Sequence, residues 1–594
     1  MDNTKATIER LEAEIAELPK GYISRKNING KIRQYHQWTE EGKKKSKYLD
    51  DDTAIVMAGK IAERKELQKK LKEAKALSAT GKVKEKNQPE LRLNILTGDT
   101  LRSFVSKATR LKSRPCLKQL ESYLTADDQS RVFVLFGLRR TGKTTMIQQA
   151  IAGLRSDRFA KTAFIQVSHG DTLADVNSDM KLLQKNGIEY VFLDEVTLLD
   201  DFIEGAALFS DIFAACGMKI VLSGTDSLGF LFSADDQLYD RCELLHTTFI
   251  PYREFENILG VKGIEEYIRY GGTMSIGGIH YNTSSTFSSE KGTDEYIDSA
   301  IAGNIQHSLR NYKDSGHFRH LQELYEHNEL TSAINRVVED INHRFTIEVL
   351  ERDFVSHDLG LSARNLRMDR TEPTDVLDHI DKEAFTKALK ESLNILNMAE
   401  RKVTVNDAHR TEIKEYLNLL DLTVDIPVET IPPSEGRLYR TVISQPGLRY
   451  SQAGALIREL MKDNSFQSIS AHDRKRITDR ILDEIRGRMM EEIVLLETQA
   501  AMPDKEVFTL KFSIGEFDMV IVDPEEVTCE IFEIKHSTKA VPEQYRHLKD
   551  EAKCNAAEFR YGTVTRKCVI YRGATMQTEG IEYINVEEYL NGLA

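Results

Sequence analysis

Residues 137–145 read GLRRTGKTT and match the phosphate-loop pattern G-x4-G-K-[ST]. Glycines let a backbone curl so that its N–H groups surround phosphate oxygens at the start of a helix. Lys143 adds a positive charge for the same oxygens, and Thr144 offers a hydroxyl to Mg2+. Gly137, Arg140, Thr141, Gly142, Lys143, Thr144 and Thr145 are the candidate nucleotide contacts, with ATP and Mg2+ as the implied cofactors. Downstream, EYVFLDEV at 189–196 ends an apolar run in two acids. Placed after a phosphate loop, Asp194 suits the Mg2+ shell and Glu195 suits orienting or deprotonating an attacking water. MKIVLS at 218–223 is followed by Gly224-Thr225, and a polar side chain there can sense a γ-phosphate. Ser223 and Thr225 both qualify, and the sequence does not choose between them.

A second constellation lies near the other end. Asp518 starts the run DMVIV, and CEIFEIK at 529–535 ends in Glu533-Ile534-Lys535. Alternate residues of a strand face one side, so Glu533 and Lys535 point together. Asp518 on a neighbouring strand completes a carboxylate pair suited to a hard cation such as Mg2+. Metal and lysine together can activate water and stabilise charge on a phosphate. Glu491, in the helical stretch RGRMMEEIVLLET at 486–498, could join the metal shell. Asp, then about fifteen residues, then Glu-x-Lys is the order of the PD-(D/E)xK nuclease core. Exposed strand faces also read that way.

These residues need elements to hold them. The apolar run 132–136 predicts a buried strand before the phosphate loop, and 146–154 a helix after it. Strands are also expected at 162–167, 189–196 and 218–223, separated by helical stretches, which describes an α/β sheet with its ligand at the strand carboxyl ends. Helical patterns dominate 318–342 and 381–400, and 349–367 closes on LGLSARNLR. Residues 407–422 predict a helix followed by a strand-like TVDIPVETI. Helix then wing is a winged-helix order able to bind DNA; a helical lid packed on the sheet explains the same pattern. Pro432-Pro433-Ser434-Glu435-Gly436 reads as a linker.

At 594 residues the chain is too long for one core. Charged residues make up 29%, and mean hydropathy is −0.42. No apolar run is long enough to span a membrane. The first fifteen residues lack the apolar segment of a signal peptide. Six scattered cysteines without a C-x2-C pair suit reduced thiols and argue against zinc, so a cytoplasmic location is expected. With a net charge of −13, any nucleic-acid surface has to be local.

Such a surface is offered at 20–48, where nine Lys/Arg face two acids and Tyr22, Tyr35, Trp38 and Tyr48 are interleaved. Asn29-Gly30 and Glu41-Gly42 are turn signals, so a small three-stranded sheet is expected. It can hold a nucleic-acid backbone and stack bases; solvated lysines around a small aromatic core are the plainer reading. Residues 4–18 and 53–79 predict charged helices that permit a coiled coil and a homo-oligomer, and 80–90 is a polar linker.

With GLRRTGKTT, FLDEV, VLSGTDS, Arg241 and PYREF (251–255) in place, the chain resembles the prokaryotic AAA-type ATPases of the archaeal-ATPase lineage. The resemblance implies that Tyr270-Gly271-Gly272 opens a helical lid and that Arg241 is a phosphate-sensing residue; a surface salt bridge is the plainer role. It further implies a winged-helix element in the middle, and a short loop at Ser444-Gln-Pro-Gly-Leu-Arg449-Tyr450 leading into a restriction-endonuclease-like domain. Gly487-x3-Glu491 and Glu516-Phe517-Asp518 fit that domain.

The expected fold is multidomain α/β. An N-terminal helix and three-stranded sheet module (1–80) precedes an AAA-type P-loop NTPase core (92–250), a helical or winged-helix lid (251–435), and a PD-(D/E)xK nuclease-like α/β domain (436–594). The expected function is a Mg2+-dependent ATPase acting on nucleic acid, DNA in preference, coupled to a metal-dependent nuclease. The alternative is a nucleotide-dependent switch whose C-terminal domain binds nucleic acid or a partner without cutting.

Overall fold

A computed structural model describes residues 15, 18–20, 22–28, 31–40, 43–50, 53–54, 56–57, 59–60, 63–64 and 67 of a smaller unit, Met1–Glu90. In a larger unit, Leu91–Ala594, it describes 91–126, 130–199, 201–225, 229–230, 238–247, 249–274, 287, 290–303, 305, 309, 318–355, 405–462 and 470–593. The helix expected at 381–400, the run at 359–367, the linker at 80–90 and most of the helix at 4–18 lie outside the described residues.

In the smaller unit, β1 (Tyr22–Ile28), β2 (Lys31–Glu40) and β3 (Lys43–Leu49) form an antiparallel sheet in the order β1-β2-β3. The register sets Tyr35 opposite Tyr48 and Trp38 opposite Lys45. Lys45 and Lys47 are exposed, while His36 and Leu49 are buried.

The larger unit holds two sheets. The first has the order β4-β6-β7-β8-β5-β9. Its strands are β4 (Asn94–Leu96), β5 (Val132–Gly137), β6 (Thr162–Gln166), β7 (Tyr190–Asp194), β8 (Lys219–Gly224) and β9 (Cys242–Thr247). All but β4 run parallel. A parallel sheet is covered on both faces, which is why β5 is apolar at successive positions. Val132, Val134 and Phe136 pack with Val176, Met180 and Leu183 of α2 (Leu173–Lys185). Phe133 and Leu135 pack on the opposite face with Met146, Ile147 and Ile151 of α1 (Lys143–Gly153). β5 lies between β8 and β9, so its carboxyl end opens on Ser223 to one side and Thr247 to the other.

Helices follow: α3 (Tyr252–Leu259), α4 (Ile264–Tyr270), α5 (Arg319–Glu326), α6 (Leu330–Val355) and α7 (Asp407–Leu419). The helical pattern over 318–342 is divided between α5 and α6, with Asn328 at a left-handed φ of 58° between them. After α7 come β10 (Thr423–Ile431) and β11 (Leu438–Ile443).

The expected wing is not formed. β10 pairs antiparallel with β11 and parallel with β12 (Glu506–Phe512), so it is an interior strand of the second sheet. Burial of Ile426 and Val428 holds it there. The Pro432–Gly436 stretch is the turn of that hairpin rather than a linker between domains, and the expected boundary at 435 cuts through the second sheet. The stretch expected as a loop at 444–450 instead starts α8 (Pro446–Leu460).

The second sheet has the order β11-β10-β12-β13-β14-β15-β17-β16. It adds β13 (Glu516–Asp523), β14 (Thr528–Lys535), β15 (Thr563–Tyr571), β16 (Met576–Thr578) and β17 (Ile581–Asn585). Met519, Ile521, Phe532 and Ile534 pack with Met489, Ile493 and Leu496 of α9 (Ala471–Ala501). Val520, Val522 and Ile531 pack with Cys554 and Ala557 of α10 (Glu551–Tyr561). Strand alternation therefore assigns Asp518, Glu533 and Lys535 to the α10 face. α11 (Val586–Gly592) closes the described chain.

Candidate functional site

The phosphate loop is shaped by three positive-φ residues: Gly137 at 137°, Arg140 at 65° and Gly142 at 90°. A side chain at Gly137 would run into Thr247 O at 2.3 Å, so only glycine fits beside β9. Thr247 Oγ1 donates to Phe136 O at 2.8 Å and lies 2.9 Å from Thr141 Oγ1, tying the loop to the sheet. Lys143 folds back and donates to the carbonyls of Gly137 and Leu138 at 2.9 and 2.8 Å. Burial lowers its pKa to about 8, against the opposing pull of Glu195 and Asp194.

Thr144 Oγ1 donates to Asp194 Oδ2 at 2.8 Å, which joins the loop to the end of β7. Thr145 follows on the first turn of α1. Glu195 takes a left-handed φ of 58°, which turns its side chain out of line with β7. Burial, then Asp194, raises the Glu195 pKa. Thr225 Oγ1 donates to Glu195 Oε2 at 3.2 Å. Of the two polar candidates after β8, Thr225 is therefore the one that touches the acid; Ser223 Oγ is buried and has no hydrogen-bond partner among the described residues.

Two arginines precede the lysine, and they diverge. Arg140, the candidate contact, lays its guanidinium over the Tyr296 ring at 5.8 Å. Arg139, which the sequence did not single out, is the one whose charge acts on Lys143 and Glu195. Arg241 lies away from the nucleotide site. It precedes β9 at the end where Val132 pairs with Cys242, about 16 Å along the strand from Gly137. There it is half exposed and pairs with Asp211 at 2.6 Å. Position in sequence put it next to the PYREF stretch, but the strand in between carries it to the far edge.

Arg114 is a residue that sequence reasoning missed. It is buried, donates from Nε to Glu254 Oε2 at 2.5 Å, and donates from Nη1 to Thr141 O at 3.0 Å. Glu254 is the acid of PYREF, so this pair fastens α3 to the phosphate loop. No local pattern marks an arginine that lies 140 residues from its partner.

In the second sheet the β13–β14 ladder ends at Met519 opposite Phe532. At that end Lys535 Nζ lies 2.8 Å from Asp518 Oδ2 and 2.6 Å from Glu533 Oε2. Asp518 Oδ2 also accepts the Ile534 N–H at 2.8 Å. Burial drives the Glu533 pKa well up; Lys535 opposes this and Asp518 adds to it. Burial disfavours charge on Lys535, but the two carboxylates outweigh it and raise its pKa. Glu533 Oε1 is buried with no hydrogen-bond partner among the described residues, leaving an oxygen lone pair free for a cation. Glu491 is near enough for its charge to act on Lys535, yet it pairs with Arg488. Its helix, α9, covers the other sheet face, which is why it stands apart from the hydrogen-bonded trio.

His320, Glu323 and His409 also gather, with ligand atoms within 4.8 Å of one another. However, His409 Nδ1 is already engaged, accepting the backbone N–H of Asn406, the N-cap residue of α7, at 3.4 Å. Among the described residues no helix is long and apolar enough to cross a membrane.

Residues 129–256 match the family model of an AAA domain, and residues 1–56 match a domain of unknown function, DUF6788. No curated protein matches the chain. Among solved structures it is similar to Orc1 from Aeropyrum pernix in complex with DNA. Identity is 14% and the TM-score 0.21, over 60% of this chain and 93% of that one. Cdc6p from Pyrobaculum aerophilum aligns at 12% identity and a TM-score of 0.22, over 59% and 96%. AMPPCP-bound DnaA from Aquifex aeolicus aligns at 14% identity and a TM-score of 0.19, over 68% and 100%.

Proposed function

From the AAA-type P-loop domain at residues 129–256, we propose that this chain is a Mg2+-dependent ATPase that acts on nucleic acid and governs a metal-dependent phosphodiesterase in its second sheet. The observation that carries the ATPase reading is the Thr144–Asp194 hydrogen bond with Glu195 beside it. The hydroxyl and carboxylate present hard oxygen ligands 2.8 Å apart, and these two residues would hold a Mg2+. Lys143 leaves the Gly137 and Leu138 carbonyls for the β- and γ-phosphates. The loop N–H groups, at the N-terminus of α1, hold the same oxygens. Glu195, fixed by Thr225, orients the water that attacks the γ-phosphate and takes its proton.

Asp518 and Glu533 would fit a second Mg2+, because Glu533 Oε1 is a buried oxygen with no hydrogen-bond partner among the described residues. At both sites the bound metal supplies Lewis-acid polarisation of phosphate and water. Lys535 is held by both carboxylates, so its ammonium stays charged and can offset charge that develops on the scissile phosphate. The order α9-β12-β13-β14-α10-β15, with the two acids and the lysine at one strand end, supports a PD-(D/E)xK-type domain.

Lys143→Ala should abolish ATP hydrolysis. Glu195→Gln should bind ATP with unchanged affinity and turn over at least about a hundredfold more slowly. Steady-state phosphate release, with a binding titration alongside, checks both. Hydrolysis at the normal rate by the Lys143 variant contradicts the assignment.

A further inference from the structure

We infer that Glu265 and His536 form the joint through which the nucleotide site acts on the Asp518–Glu533–Lys535 pocket, an inference that rests on reading that pocket as the cleavage site. It makes both side chains positioning residues for Lys535.

α4 is seven residues long, about 10 Å from end to end. Its C-terminal end is fastened to the phosphate loop. The Gly271 N–H caps α4 by donating to Tyr267 O at 2.7 Å, and Gly271 O accepts the Gly447 N–H at 3.1 Å. Gly272, at φ 104°, lies so close to Gln445 that an added Cβ would sit 2.7 Å from its Cα. Two residues on, the Met274 N–H donates to Arg140 O at 2.7 Å. Arg140 is one of the loop's positive-φ residues, at 65°. A loop that rearranges when Lys143 exchanges its carbonyl partners for phosphate therefore displaces the C-terminal attachment of α4.

The N-terminal end is fastened next to the second site. The Ile264 N–H donates to Glu587 Oε1 on α11 at 2.9 Å. The Glu265 carboxylate receives His536 Nε2 at 2.5 Å, Arg572 Nη1 at 3.1 Å and Arg486 Nε at 3.4 Å. His536 directly follows Lys535, the last residue of β14. Its ring is mostly buried, and Nδ1 lies 3.7 Å from Asp483 Oδ1, so the imidazole is held between two carboxylates. Burial works against the Glu265 charge, but His536, Arg572 and Arg486 hold its pKa down at about 2. Glu265 is thus a fixed anion on a short helix, gripping the residue beside Lys535.

Partly buried charge clusters add little net stability over an apolar substitute, but they hold geometry and register well. Five charged or chargeable groups meet here, drawn from α4, α9, the end of β14 and the turn after β15. A shift of α4 moves His536 against them. Lys535, one peptide away, then changes its distance to Glu533 and Asp518.

The test is amide hydrogen exchange on the full chain, with Mg2+ and with or without a non-hydrolysable ATP analogue. In the native protein, the analogue should change exchange at residues 534–538 by at least threefold. Glu265→Gln and His536→Gln should each abolish that change, and the double variant should show no more than either single one. Exchange at residues 137–145 should still respond in all three, because the nucleotide still binds. A purely structural role would alter exchange at 534–538 without removing its dependence on nucleotide. No nucleotide response at 534–538 in the native protein overturns the inference, as does an undiminished response in both variants. Cleavage of an oligonucleotide is measured separately: a native protein that never cuts counts against the cleavage reading, while the exchange result still decides the joint.

Discussion

At the scale of single residues, the side chains that touch Glu195 differ from those that merely lie near it. Thr225 donates to Glu195, whereas the Ser223 hydroxyl is buried without a partner among the described residues. A hydrogen bond to a carboxylate contributes about 1.5–3 kcal/mol. Thr225→Val should accordingly lower kcat for ATP hydrolysis about tenfold or more, with KM little changed. Ser223→Ala should stay within about twofold of the native rate, since it removes an unsatisfied polar atom. Steady-state kinetics of the two variants check this, and the reverse ranking would give the sensing role to Ser223. The loop and the paired acids were legible in the sequence because their spacing is local. Arg114 was not, because its partners Glu254 and Thr141 come from distant stretches. Arg140 was named as a contact and Arg139 was passed over: Tyr296, which lies under the Arg140 guanidinium, belongs to a helical region with no motif of its own.

At the scale of elements, α9 carries a group that makes the fold sensitive to pH. Glu497 is buried and accepts the Tyr252 N–H at 2.8 Å. Burial pushes its pKa up to about 8, with Tyr252 and Tyr267 opposing. The folded value lies above the unfolded one near 4.5, so the acid is neutral in the fold. Its contribution is fully present below about pH 4.5 and is lost as pH rises through 8, by at most about 1.4 kcal/mol per unit. Glu497→Gln keeps an acceptor for the Tyr252 N–H without that titration. Chemical denaturation should find it increasingly more stable than the native protein between pH 5 and 8, with the difference levelling off above. A constant difference across that range would contradict the burial argument. Elements with unbroken apolar runs, β5, β7 and β8, were readable in the sequence. The sequence of β10 permits a wing because a strand beside a helix looks the same whether it stands at an edge or inside a sheet. Its partner β12 begins 75 residues after the end of β10, and no local pattern announces that pairing.

At the scale of the whole molecule, the chain combines a compact unit carrying both sites with an N-terminal unit carrying the basic sheet. The phosphate-loop and Lys535-pocket residues described above all belong to Leu91–Ala594. Removing residues 1–90 should leave the ATPase rate unchanged. If the sheet grips a nucleic-acid backbone, the truncated protein should bind oligonucleotides more weakly and with a shallower salt dependence, since each lost phosphate contact lowers the slope of log K against log salt by about 0.9. Fluorescence anisotropy across a salt series reads this, and an unchanged slope would leave the lysines as solubilising charges. The proposed function gives one chain two separate phosphate chemistries. Parallel assay of ATP hydrolysis and oligonucleotide cleavage in Mg2+, for the native protein and Lys535→Ala, tests it most directly. The native protein should do both, and Lys535→Ala should hydrolyse ATP at the native rate without cutting. Cleavage that persists undiminished in Lys535→Ala, or hydrolysis that disappears with it, would contradict the account.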